Sequence, residues 1–73
     1  MTHIPVDSTM LAAVGFDPVT GNLEAVFNDG AIWQYQNVPV KVYEELMASD
    51  SKGGYMRDFI IDVYPDYRVR RLP

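Results

Sequence analysis

Apolar and polar positions alternate along the first half of the chain, then recur at helical spacing in the second half. Ile4-Pro5-Val6 begins extended, because Pro5 restricts the residue before it. Met10 to Asp17 reads as a strand with Ala12, Val14 and Phe16 on one face and Leu11, Ala13 and Gly15 on the other. Asp17-Pro18-Val19-Thr20-Gly21-Asn22 supplies a turn, with Pro18 presetting one dihedral and Gly21 or Asn22 taking a positive one. A second strand follows, with Leu23, Ala25 and Phe27 on one face. Asn28-Asp29-Gly30 is a hairpin signal, and Ala31 to Gln36 is a third strand. Trp33 and Tyr35 share one of its faces; Ile32, Gln34 and Gln36 share the other.

The period then changes. Asn37 or Val38 caps a helix with Pro39 in its first turn, where a missing N–H costs nothing. Val42, Tyr43, Leu46 and Met47 form its apolar stripe, and Glu44 and Glu45 face solvent. That helix stops near Ser49-Asp50. Ser51-Lys52-Gly53-Gly54 leads into a second helix from Tyr55 to Tyr64, which Pro65 ends. Met56, Ile60 and Val63 lie along one side of it. The pattern predicts a single α+β domain over residues 1–73. Its architecture is a three-stranded antiparallel meander followed by two helices packed on one face, with a basic tail at 68–73 that is free to add an edge strand.

Composition narrows the class. At 48% hydrophobic residues the chain has enough apolar material to fold. At 73 residues it buries only about 60% of its unfolded surface, which favours extra burial against a second copy, with Val26 and Ile32 on the uncovered sheet face as the expected contact. No cysteine is present, which removes disulfides and thiolate metal sites. No apolar run approaches the roughly 18 residues of a membrane helix, and the N-terminus does not read as a signal peptide, so a cytoplasmic protein without membrane contact is expected.

Charge is uneven. Net charge is −4, yet residues 51–73 hold Lys52, Arg57, Arg68, Arg70 and Arg71 against three acids. Residues 1–36 hold Asp7, Asp17, Glu24 and Asp29 and no Lys or Arg. The Ser51–Gly54 stretch has the chemistry of an anion site: two glycines that let backbone amides approach closely, a hydroxyl, Lys52 and Arg57, and a following helix start. The spacing is neither a Walker loop nor a dinucleotide fingerprint, and the alternative is a helix–helix corner that needs glycine for its backbone angles. Trp33 and Tyr35 either pack as core or stack on a planar ligand. Arg68 and Arg70 are positioned in the tail to contact phosphate. His3, alone near the terminus, reads as a frayed end residue. Without cysteine, and with one terminal histidine, the usual nucleophile–base arrangements are missing, no acidic pair has metal-ligand spacing, and neither enzyme activity nor a cofactor is expected.

Taken in order, Val6-x-Ser8, Leu11 through Val14-Gly15-Phe16-Asp17, the Gly30 to Tyr35 strand, Val38-Pro39, Tyr43, Leu46, Ser51-Lys52-Gly53, Tyr55 and Ile60 resemble the KTSC domain. That small domain occurs at the C-terminus of some lysyl-tRNA synthetases and as short stand-alone bacterial and phage proteins. Trp33 stands where an aromatic, often tyrosine, is common. The resemblance implies an α+β fold, and the association with a tRNA enzyme points toward nucleic acid or nucleotides. It transfers no catalytic residue.

Two functions are therefore expected to compete. The first is a non-enzymatic binding module for a phosphate-bearing ligand, a nucleotide or short oligonucleotide, held by Ser51, Lys52, Gly53, Gly54, Arg57, Trp33, Tyr35, Arg68 and Arg70. In a phage such a module would sequester a nucleotide signal. The second is a protein–protein interaction accessory with no small-molecule ligand.

Overall fold

The computed structural model describes residues 1–69. Strands β1 (Ile4–Pro5), β2 (Leu11–Asp17), β3 (Asn22–Phe27) and β4 (Ile32–Tyr35) precede helix α1 (Val40–Ala48). Helix α2 (Lys52–Tyr55) follows and runs directly into a π turn over Met56–Ile60, and β5 (Asp66–Arg68) closes the order. All neighbouring strands are antiparallel, in the order β1-β2-β3-β4-β5. The fold is α+β, as the pattern predicts. The three-stranded meander is its centre, extended to five strands by β1 against β2 and by the tail strand β5 against β4.

Alternation along β2 is broken where it was expected to be regular. The register slips between Leu11 and Ala13, so Ala12 is the extra residue of a bulge. Leu11 and Val14 consequently both point into the core, each fully buried, instead of lying on opposite faces. Beyond the bulge the pairs hold strictly. Phe16, Leu23, Tyr35 and Asp66 form one cross-strand row, and Val14, Ala25, Trp33 and Arg68 form the next. Paired residues share a face, and these two rows face the helices.

The turns follow the expected chemistry. Gly21 takes φ 78° and its amide donates to Asp17 O at 2.8 Å, while Asp17 Oδ1 accepts from Val19 N at 2.9 Å. Gly30 takes φ 93° in the β3–β4 hairpin. The start of α1 lies one or two residues later than the sequence suggests. Pro39 is its N-cap, extended at ψ 149°, and Asn37 carries the left-handed φ of 61° that turns the chain off the sheet. Leu46 is fully buried, with Val42, Tyr43 and Met47 against the same core.

The second helix departs further. It begins at Lys52, so Lys52, Gly53 and Gly54 form its first turn and Ser51 is its cap. It ends at Ile60, not at Tyr64. The Ile61 amide donates to Met56 O at 2.7 Å, five residues back, and Asp62 takes φ 64°. Met56 and Ile60 are fully buried as expected, but Val63, placed beyond the helix end, is 58% exposed. The core joins Leu11, Val14, Leu23, Ala25, Tyr35, Val38, Leu46, Met56 and Ile60 between the sheet and the helices.

On the outer sheet face the N-terminal segment crosses Gly15. A Cβ there would lie 2.7 Å from His3 Cδ2 and 2.9 Å from the backbone oxygen of Thr2. His3 is not a frayed end: its Nε2 lies 2.7 Å from Glu24 Oε1, and both side chains are partly buried.

Candidate functional site

A polar cleft of about 250 Å³ opens where the start of α2 meets the segment leading into β2. Its helix-side wall is Ser51, Lys52, Gly53, Gly54 and Arg57, so the structure brings these five sequence-predicted residues together. Asp50 extends that wall, and Asp7, Ser8 and Thr9 form the opposite one.

The glycines have a different role from the expected one. Neither Gly53 nor Gly54 has a positive φ, so no corner geometry demands them. Gly53 is buried, and a Cβ on it would lie 3.1 Å from both Cβ and Sδ of Met10. It is glycine because the helix start packs against the strand entrance, and that close approach sets the two cleft walls at their separation. Gly54 lies over Ser51, whose Oγ accepts from the Gly54 amide at 3.3 Å. The amides of Lys52 and Gly53, first in the helix, take no partner among the described residues.

The side chains are held in part and free in part. Lys52 Nζ donates to Ser49 O at 3.0 Å, leaving two ammonium hydrogens uncommitted. Ser49 Oγ accepts from the Ser51 amide at 3.1 Å, which fixes the loop before the cap. Across the cleft, Ser8 Oγ accepts from the Met10 and Leu11 amides at 3.1 and 3.2 Å, so its own hydrogen remains to be donated. Lys52 and Arg57 are balanced by Asp7 and Asp50, and the cleft carries no excess charge. Asp7, Ser8, Thr9 and Asp50 are not among the ligand-binding residues the sequence singles out. The missing signal is long-range: the contact of Met10 with Gly53 is what brings residues 7–9 beside residues 50–54.

Trp33, Tyr35 and Arg68 lie apart from this cleft. Tyr35 is 2% exposed and belongs to the core, so its ring has no free face for stacking. Trp33 is half-buried. It borders two depressions. One, of about 480 Å³, adjoins the cleft: Thr9 lines both, and Met10, Phe27 and Trp33 line the far side. The other, of about 340 Å³, is a groove between Phe27, Trp33 and Tyr35 on the sheet and Ile61, Asp62 and Asp66 after the π turn. Burial first, then the Asp66 and Asp62 carboxylates, push the Tyr35 hydroxyl up to about 12. Arg68 is exposed opposite Trp33. Arg70 lies outside the described residues. Tyr55, beside the cleft glycines in sequence, donates to Glu45 Oε1 at 2.8 Å; burial and that bond raise its pKa to about 12. Glu45 is therefore an anchor between α1 and α2, not simply a solvated charge.

The fold and cleft define a small α+β domain with a polar recess at a helix start. The KTSC domain model matches residues 7–64, and the chain belongs to the KTSC domain family. A protein of Tsukamurella paurometabola is 34% identical over 56 residues, which is 77% of this chain and 84% of that protein. A lysine–tRNA ligase from a Nostoc species is 37% identical over 54 residues, 74% of this chain but 10% of the ligase. The crystal structure of a KTSC domain protein from Yersinia pestis superimposes with a TM-score of 0.92 at 26% identity, covering 94% of this chain and 97% of that one. Among the described residues no helix is long and apolar enough to cross a membrane.

Proposed function

We propose that this domain is a non-enzymatic binding module for a small phosphate-bearing ligand, a nucleotide or short oligonucleotide, seated in the polar cleft. The observation that carries the reading is the convergence of two unpaired helix-start amides, the Ser8 and Ser51 hydroxyls, Lys52 and Arg57 on one recess. Phosphate oxygens accept from all of these groups. Asp7 and Asp50 cancel the net charge, so the ligand is held by directed donors and not by bulk attraction. Ribose hydroxyls can donate to those carboxylates, which inorganic phosphate at neutral pH does poorly. The adjoining depression between Thr9 and Trp33 gives a base an aromatic wall. The occurrence of a related segment in a protein named a lysine–tRNA ligase agrees with a nucleotide or oligonucleotide ligand. The same reading places the domain in the cytoplasm, self-associating through its outer sheet face, and in a phage it would sequester a nucleotide signal.

Thermal unfolding against a panel of nucleotides and dinucleotides tests it. A ligand at 100 times its dissociation constant stabilises the fold by about 2.7 kcal/mol. That increment is expected for at least one nucleotide and is lost in the Lys52→Ala/Arg57→Ala double variant. Unchanged melting across the panel contradicts the reading.

A further inference from the structure

We propose that the groove between β4 and the segment after the π turn receives an arginine side chain from a partner protein. Three features converge there. Phe27 and Trp33 give it aromatic walls. Asp62 and Asp66 give it two carboxylates, and no ion pair neutralises either among the described residues. Tyr35 forms part of its lining: the residue is 2% exposed, and its hydroxyl takes no hydrogen bond among the described residues. Among the described residues no fully enclosed side-chain oxygen lacks a partner, so this hydroxyl opens to the groove. An unpaired hydroxyl facing the groove, two free carboxylates and an indole together match one chemical group. A planar cation stacks on the indole while its N–H groups donate to the oxygens. Burial, then Asp66 and Asp62, raise the pKa of Tyr35, and the two carboxylates set the groove against a phosphate.

The volume, about 340 Å³, has room for one long side chain. Val63, next to Asp62, is 58% exposed and offers apolar surface to the residues flanking that arginine. Arg68, paired across the strands with Trp33, does not line the groove but places a cation on the neighbouring strand that competes with an incoming one for Asp66.

Trp33 is the only tryptophan, so its emission reports on the groove directly. The full chain is titrated with acetyl-Gly-Arg-Gly-amide and with the same peptide carrying citrulline, which keeps the shape of arginine and removes its charge. Saturation is expected in the low-millimolar range for the arginine peptide, about tenfold weaker for citrulline. The Asp62→Asn/Asp66→Asn variant should lose the difference, Arg68→Gln should bind more tightly, and Lys52→Ala should bind as the parent does. Equal binding of the two peptides to the parent protein overturns the proposal, and needs no variant to fold. Free arginine binding as tightly as the peptide overturns the assignment to a protein partner.

Discussion

Gly53 and Met10 pack closely across the gap between α2 and the entrance to β2: a Cβ on Gly53 would meet Met10 Cβ and Sδ at 3.1 Å, tighter than an ordinary van der Waals contact. That contact seats the helix start and spaces the cleft walls. Gly53→Ala should overpack the junction at a cost of about 1–3 kcal/mol, offset by the roughly 1 kcal/mol that alanine gains over glycine in a helix. A fall in melting temperature of several degrees is expected. Trimming Met10 to alanine in the same chain should recover part of it. Additive losses in that double-mutant cycle would show that the contact does not set the spacing.

Ser51 holds the first turn of α2 by accepting from the Gly54 amide at 3.3 Å. Ser51→Ala should destabilise by about 1 kcal/mol, and Ser51→Asn, which can also cap, should cost less. Chemical denaturation of the two variants makes the comparison. Equal losses would mean that the hydroxyl serves the cleft and not the helix.

Tyr35 and Tyr55 are both raised to about 12 in the folded protein from an ordinary 10. Both are favoured neutral by the fold, so their contribution to stability is complete below pH 10. Above that pH the unfolded chain releases their protons first and stability falls, until the folded pKa near 12 is passed. Denaturation midpoints should be flat between pH 7 and pH 9 as far as these two groups are concerned and should drop between pH 10 and pH 12. Tyr35→Phe should make that drop shallower. An unchanged slope in the variant would contradict the assignment.

Self-association, if it uses the outer sheet face, centres on Val26. Its cross-strand partner Ile32 is already 6% exposed within one chain, whereas Val26 is only partly covered. Both sheet edges carry short strands, which leaves the face and not the edges for pairing. Light scattering at tens of micromolar should give a mass above the 8.3 kDa of one chain, and Val26→Asp should return it to that value. A single-chain mass for the parent protein would remove the proposal.

The meander, both helices and the apolar stripe of α1 are legible in the sequence, because each depends on near-neighbour patterning. Alternation through Leu23, Ala25 and Phe27 and the turn signals at Gly21 and Gly30 leave little choice. What escapes is set by contacts distant in sequence. The bulge at Ala12 is visible only once β3 fixes the register. Gly53-Gly54 reads as a loop, since two adjacent glycines disfavour a helix, and Ser51 capping with the Met10 contact overrides that propensity. The helix half of the cleft is likewise legible from composition, while Asp7, Thr9 and Asp50 are not. Trp33 and Tyr35 share a face as the alternation requires, but strand order carries them to a groove of their own and sets Arg68 opposite Trp33.

The central claim is that the cleft at the start of α2 holds phosphate, and the backbone amides of Lys52 and Gly53 are its most direct witnesses. A two-dimensional nitrogen–proton correlation spectrum, recorded while a nucleoside monophosphate and then its unphosphorylated nucleoside are titrated in, reads both amides at once. The account predicts saturable shifts of the Lys52 and Gly53 amides with the phosphorylated compound, little movement with the nucleoside, and loss of the effect in Lys52→Ala/Arg57→Ala. Shifts confined to Trp33 and its neighbours, or identical for the two compounds, would contradict it.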